Sequence, residues 1–187
     1  MTRTRLLRAA AEAFDVGGYL GVNLNNVVTS LGLTKGALYH FFPTKEALAV
    51  EIVDMHFAAW EPLAQEVFTS YDNKLDALVE VTYRVAALFQ SDPIVRAGAR
   101  LSSERHLINT TLHEPFIGWV RRLESLVKTA KTRGEVRAGI DPRATAELVV
   151  DYFYGAQLIS QHLCDRRDLL VRLDHFWEAF LPHLQPA

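Results

Sequence analysis

Apolar residues recur along this chain at three- and four-residue intervals almost from end to end. No stretch alternates apolar with polar as a half-buried strand does, so the pattern predicts helices throughout. The first runs from about Thr4 to Val16, with Leu7, Ala10, Ala11 and Phe14 on one face, and stops at Gly17-Gly18. A short second helix follows Asn23 as N-cap, turns Leu24, Val27, Val28 and Leu31 inward, and ends at Gly32 in a left-handed conformation. Thr34 caps a third helix that begins at Lys35. Pro43 and Thr44 break the pattern before a long fourth helix, from Lys45 to about Phe68. A fifth, from about Lys74 to Phe89, carries Leu75, Leu78, Val79, Thr82, Val85, Ala86 and Phe89 as its inward stripe.

Asp92-Pro93 and Asp141-Pro142 each read as an aspartate cap followed by proline at the first helical position, where its missing donor costs little. Leu107 to His113 reads as a loop before a helix from about Glu114 to Arg133, which Gly134 ends. The last two helices cover about Arg143 to Leu163 and Asp168 to Leu184. The predicted class is all-α, with no linker, repeat or low-complexity tract.

Within this pattern the segment Leu33 to Phe42, LTKGALYHFF, concentrates chemistry. Lys35, Gly36 and Ala37 occupy a first turn, where a cation reaches a phosphate and small residues let the backbone approach base edges. Leu38 and Phe42, four apart, point toward a core, while Tyr39 and His40 project polar tips suited to phosphate oxygens. Helix, glycine turn, helix is the helix-turn-helix layout, although an ordinary αα-hairpin shares its spacing.

Composition narrows the possibilities. The chain has 187 residues, 49% of them hydrophobic, which is enough for a sizeable core. Its single cysteine, Cys164, excludes an intrachain disulfide and fits a small buried hydrophobe in a reducing compartment. No apolar run reaches the roughly 18 residues of a membrane span, and TRTRLLRAAAEAF lacks a signal peptide's apolar core, so a cytoplasmic location is expected. The net charge of −2 is unevenly spread: residues 1–50 hold five Lys/Arg against three acids, and the remainder fifteen against nineteen. The cationic end is the one with the helix-turn-helix pattern. Enzyme motifs are missing: there is no G-x-S-x-G, phosphate-binding glycine loop or H-E-x-x-H. The scattered histidines, His106 and His113 among them, form no metal-ligand spacing, and neither a metal nor a cofactor is expected.

From Arg5 to Leu48 the chain resembles the DNA-binding domain of the TetR family of bacterial repressors, in RAAAEAFDVGGY, the helix pair, TKGALY and KEAL. Two positions depart from the family pattern. Asn23 replaces a common threonine before the second helix, and Tyr39-His40-Phe41-Phe42 replaces the usual Tyr-x-His-Phe. A family histidine contact therefore does not carry over to Phe41. The resemblance implies a three-helix DNA-binding domain at residues 1–48 and a helical ligand-binding and dimerisation domain at 49–187. It assigns Asn23, Asn25, Thr34, Lys35, Gly36, Ala37, Leu38, Tyr39, His40 and Lys45 to double-stranded DNA.

RAGARLSSE (Arg96 to Glu104), EPFIGWV (Glu114 to Val120) and YGAQLIS (Tyr154 to Ser160) resemble the γ-butyrolactone receptor branch of that family, which controls antibiotic synthesis. That branch implies a signal pocket lined by Trp119. Tyr83, Leu88, Phe116, Tyr152 and Gln157 are the further candidates, chosen as apolar wall or polar anchors for a lactone or furan signal. A charged furan carboxylate would need Arg84, Arg100 or His106. Tyr152, Ile159, Leu169, Leu173, Phe176, Trp177 and Phe180 are expected at a homodimer interface, so that two recognition helices meet an inverted-repeat operator. The implied function is repression relieved by the signal, through movement of the fifth and neighbouring helices and a tilt of the fourth. A TetR regulator of lipophilic drugs or another metabolite is the alternative.

Overall fold

A computed structural model describes residues 2–112, 114 and 116–186; His113 and Pro115 of the predicted loop and signal segment lie outside the described residues. The described chain forms α1 (Thr2–Gly21), α2 (Leu24–Ser30), α3 (Lys35–Phe41), α4 (Lys45–Ser70), α5 (Lys74–Ser91), α6 (Pro93–Ser103), a 3-10 turn (Arg105–Leu107), α7 (Ile117–Thr132), α8 (Pro142–Cys164) and α9 (Leu169–Leu184), with no strand among the described residues. None of these helices is long and apolar enough to cross a membrane.

Helix starts follow local chemistry closely. The side chains of Asn23, Thr34, Asp92 and Asp141 accept from the amides of Asn25, Ala37, Ile94 and Ala144, satisfying first-turn donors that have no partner inside the helix. Two boundaries differ from the sequence pattern. α1 does not stop at Gly17-Gly18 but continues to Gly21 across a break at Gly18 (φ 66, ψ −178). α7 begins at Ile117 rather than Glu114, because Phe116 takes a left-handed conformation (φ 70) that a helix cannot include.

The contacts divide the chain into two compact units. Residues 1–60 and 92–115 form one, and 61–91 and 116–187 the other. This grouping by compactness differs from a cut at residue 48, because α6 belongs with α1 to α3 and the first part of α4. In the first unit Leu6, Phe14, Leu38, Leu48, Ile52 and Leu101 are essentially inaccessible and form the centre of the core. α6 lies very close to α4 there. A Cβ on Gly98 would fall 2.2 Å from Cβ of His56, which leaves room only for glycine. His56 itself is buried, and its Nδ1 lies 2.8 Å from the Val95 carbonyl, which the neutral ring satisfies as donor.

In the second unit, α7 packs along α8, and α5 packs against α7 and α9. Leu78, Val85, Phe89, Leu123, Val127 and Val149 fill the centre, together with Leu169, Leu173 and Trp177. The stripe predicted for α5 is buried except Val79, which is half-buried, and Ala77 and Val81 join it. Trp177 Nε1 donates to Thr82 Oγ1 at 2.9 Å, and the Thr82 hydroxyl donates to the Val79 carbonyl at 2.7 Å, so this buried polar pair is satisfied.

Burial lowers the pKa of His56 from 6.5 to about 4. The folded ring therefore stays neutral in a range where the unfolded ring takes up a proton. The corresponding stability is fully present above pH 6.5 and is lost as the pH falls toward 4, at up to about 1.4 kcal/mol per pH unit. Denaturant titrations between pH 7 and pH 4.5 check this, and the slope should shrink in His56→Gln.

Candidate functional site

The first unit presents the helix pair as the sequence pattern anticipates. Asn23 Oδ1 accepts from Asn25 N at 2.9 Å at the start of α2. Gly32 turns the chain with φ 65, and the Leu33 amide donates back to the Val28 carbonyl at 2.9 Å, closing the end of α2. Thr34 Oγ1 then accepts from Ala37 N at 3.3 Å at the start of α3. Lys35, Gly36, Tyr39 and His40 are exposed, whereas Asn25 and Ala37 are half-buried. Lys35 makes no ion pair among the described residues. The His40 and Phe41 rings meet edge to face at 5.0 Å, so the position that departs from the family pattern is an outward aromatic pair.

Of the residues assigned to DNA, Leu38 faces inward and Lys45 is half-buried and bonded within the unit. Leu38 is 1% exposed and belongs to the core of the first unit, where it anchors α3 from beneath. Lys45 donates to the Val22 carbonyl at 2.6 Å and lies 4.8 Å from the centroid of the Tyr19 ring, and this burial lowers its pKa. Its ammonium pins the end of α1 to the start of α4. Tyr19 in turn donates its hydroxyl to Glu46 Oε1 at 2.7 Å; burial and this bond push the phenol up to about 12, and the same bond holds the Glu46 carboxyl below its usual range.

The second unit contains a small cavity lined by Thr82, Trp119, Leu123, Val149, Val150, Phe153 and Tyr154. Its volume is about 10 Å³, near the room a single water needs, and its wall is apolar. Trp119 stacks on Phe153 at 6.4 Å. Phe116 does not line the cavity but meets the edge of Tyr154 at 4.3 Å. The Tyr154 hydroxyl has no hydrogen-bond partner among the described residues, and burial raises its pKa.

Of the sequence candidates, Trp119 alone lines this cavity. Tyr83 donates to Asp174 at 2.7 Å instead, and Tyr152 donates to the Arg172 carbonyl at 2.7 Å while stacking on Phe176 at 4.1 Å. Gln157 is buried beside Arg166, whose Nε lies 3.4 Å from its oxygen, and Leu88 is half-buried outside the lining. The missed residues follow from helical spacing: Leu123 lies four after Trp119, and Val149 and Phe153, like Val150 and Tyr154, are four apart on α8. The candidate cations are elsewhere. Arg84 is exposed and paired with Glu80 at 2.8 Å, Arg100 is paired with Glu104 in the first unit, and His106 is exposed there.

The expected dimer residues also divide. Leu169, Leu173 and Trp177 are at most 3% exposed and are spent on the monomer core, so they offer no surface to a second chain. Tyr152, Phe176 and Phe180 are half-buried, and Ile159 is 50% exposed. The surplus apolar surface lies instead on Leu148, Leu158, Ile159 and Leu163 of α8 and Val171 of α9.

A capped helix pair with an exposed, glycine-bearing first turn, followed by a separate helical unit with an apolar cavity, defines a helix-turn-helix DNA-binding regulator. Residues 6–52 match the bacterial regulatory proteins of the tetR family, and residues 72–186 match the tetracyclin repressor-like C-terminal domain. The protein belongs to the TetR family of transcriptional regulators, not to an enzyme family. It is 31% identical over 96% of its length to the A-factor receptor protein of Streptomyces griseus, of whose length it spans 62%.

Among solved structures, one described as the molecular basis for control of antibiotic production by bacterial hormones is 37% identical, with a TM-score of 0.86 and coverage of 99% and 98% of the two chains. CprB from Streptomyces coelicolor, in complex with its biological operator sequence, is 30% identical, with a TM-score of 0.89 and coverage of 100% and 89%. A γ-butyrolactone receptor described as an ArpA-like protein is 28% identical, with a TM-score of 0.82 and the same coverage.

Gly36 gives the sharpest test of the α3 surface. Nothing crowds it, since an added Cβ meets only Thr34 Oγ1 at 3.8 Å. Gly36→Ala should therefore raise stability, by up to about 1 kcal/mol, while weakening DNA binding by about tenfold or more through a methyl group forced into the interface. Thermal melts and mobility-shift titrations on one preparation check the opposed signs.

Proposed function

We propose that the protein is a ligand-responsive transcriptional repressor acting in the cytoplasm. It binds an inverted-repeat operator as a homodimer and is released by a small signalling molecule of γ-butyrolactone type, in the control of antibiotic production. In this reading residues 1–48 carry DNA binding and 49–187 carry the signal and dimer surfaces. The observation that carries it is the pairing of the open first turn of α3 with the Trp119 cavity, in a chain similar over nearly its whole length to receptors of this kind. Asn23, Asn25, Thr34, Lys35, Gly36, Ala37, Tyr39 and His40 make up the DNA face.

The signal sits against Trp119, Phe153 and Tyr154, with Phe116 behind Tyr154. A neutral lactone fits best, because no Arg, Lys or His lines the cavity and an unpaired buried carboxylate is costly. A furan carboxylate is the second member of the class. An apolar wall also suits a lipophilic drug or another metabolite, the remaining reading. Because the cavity has room for little more than one water, signal binding must displace α7 or α8 side chains. We infer that this displacement reaches the recognition helices through α4, the continuous helix that contributes residues to both units.

Dimerisation uses the exposed apolar stripe of α8. Leu148, Tyr152, Gly155, Ile159 and Leu163 follow one another at helical spacing, and Gly155 has open space beyond its Cα, as suits close approach of a second copy. Ile159→Lys should raise the dimer dissociation constant by about a hundredfold, because association would then bury unpaired charge. Sedimentation checks this, and a variant that stays dimeric would move the interface elsewhere.

The test of function is a mobility shift on the protein's own upstream DNA, with a synthetic γ-butyrolactone, a furan carboxylate, or neither. Wild type should bind at low salt and be released by the lactone. Trp119→Ala should bind DNA as wild type does and fail to release. A full response in Trp119→Ala would remove the cavity assignment, and no retarded band at low salt would remove the repressor reading.

A further inference from the structure

The break in α1 is occupied by side chains from α6. At Gly18 the backbone leaves the helical range, interrupting the ladder of i to i−4 bonds. Tyr19 N donates to Glu104 Oε2 at 2.6 Å. The carbonyl four residues earlier, Asp15 O, accepts from Arg100 Nη1 at 2.7 Å, and Val16 O accepts from the same nitrogen at 2.9 Å. Arg100 Nε and Glu104 Oε1 are themselves 2.9 Å apart. The two backbone groups of one helical pair are thus each bonded to one member of an α6 ion pair. A Cβ on Gly18 would come within 2.6 Å of Glu104 Oε1, so glycine keeps the slot open as well as taking the positive φ. Next to it, Arg96 Nε donates to Asp15 Oδ2 at 2.6 Å, a largely buried ion pair that holds the same turn.

The contacts continue from this clamp toward the recognition helix. Tyr19, held by Glu104 through its amide, reaches Glu46 through its hydroxyl, and Lys45 spans from the Tyr19 ring to the Val22 carbonyl. Lys45 and Glu46 open α4, which Phe42, Pro43 and Thr44 join to the end of α3 at Phe41. We infer that Arg100 and Glu104 are positioning residues for DNA binding: from α6 they hold the broken end of α1 so that Tyr19 fixes the start of α4 and, with it, the seating of α3. Neither touches DNA. The inference rests on α3 being the recognition helix. It assigns the sequence candidate Arg100 to the DNA-binding unit rather than to a charged signal.

The test uses the full chain and a duplex that the wild-type protein selects from a randomised pool, below each variant's melting range. Glu104→Ala should weaken binding about tenfold, as loss of hydrogen bonds to a charged group implies. The salt dependence should keep its wild-type slope, because no phosphate contact is lost. Glu104→Gln, which keeps an acceptor for Tyr19 N, should restore part of the affinity. Tyr19→Phe, which removes the bond to Glu46 but keeps the ring, should weaken binding in the same way, and adding it to Glu104→Ala should cost little more.

Wild-type affinity in Glu104→Ala, a changed salt slope, or losses that multiply in the double variant would each overturn the inference. Should Glu104→Ala not fold, Tyr19→Phe carries the same test through its affinity and slope. If wild type selects no duplex at all, the recognition-helix reading falls and this inference with it. If wild type binds and the variants match it, only the inference falls.

Discussion

An interrupted helix must still satisfy its backbone groups, and much of the first unit is organised around that requirement. The turn at Gly18 sets α1 on a new course toward Val22 and α2, but it takes the amide of Tyr19 and the carbonyls of Asp15 and Val16 out of regular geometry. Buried backbone groups without partners are expensive. Arg100 and Glu104 supply the partners as charged groups, which form stronger hydrogen bonds than neutral ones. The chain gains a bend that an uninterrupted helix does not allow, and becomes dependent on α6 for it.

The same helix makes a second demanding contact. Gly98 lets α6 approach α4 until its backbone rests on the His56 side chain, and His56 answers with its Nδ1 at the Val95 carbonyl. Polar fastening on α1 and close packing on α4 together explain why compactness groups residues 92–115 with the N-terminal helices. A cut near residue 48 leaves out the α6 contacts that hold the N-terminal helices in place.

Much of this was legible in the sequence because helix boundaries are local. Asn23, Thr34, Asp92 and Asp141 cap as their side-chain chemistry dictates, Gly32 takes the left-handed conformation assigned to it, and Gly134, expected to end its helix, has φ 72. Periodicity, by contrast, tells which residues are apolar together but not which neighbour they meet. Leu169, Leu173 and Trp177 form a helical stripe equally suited to a dimer or a core, and Thr82 on α5 decides for the core by accepting the Trp177 N–H hydrogen bond. Tyr83 and Tyr152 were plausible anchors whose hydroxyls are already engaged by Asp174 and Arg172. Lys45 reads as a phosphate ligand until the Val22 carbonyl is placed beside it. Each of these contacts is a matter of long-range geometry, which spacing along one helix does not encode.

In the reading proposed above, the small size of the chamber beside Trp119 has a kinetic meaning. A molecule of signal size finds no vacancy in the resting protein, so only the fraction of molecules caught with α7 and α8 side chains apart can admit it. The measured affinity is then the intrinsic one scaled by that fraction. Association runs well below the diffusional ceiling and is governed by how often the walls part. On that reading the proposed repressor ignores brief encounters with apolar metabolites and responds to a signal that persists.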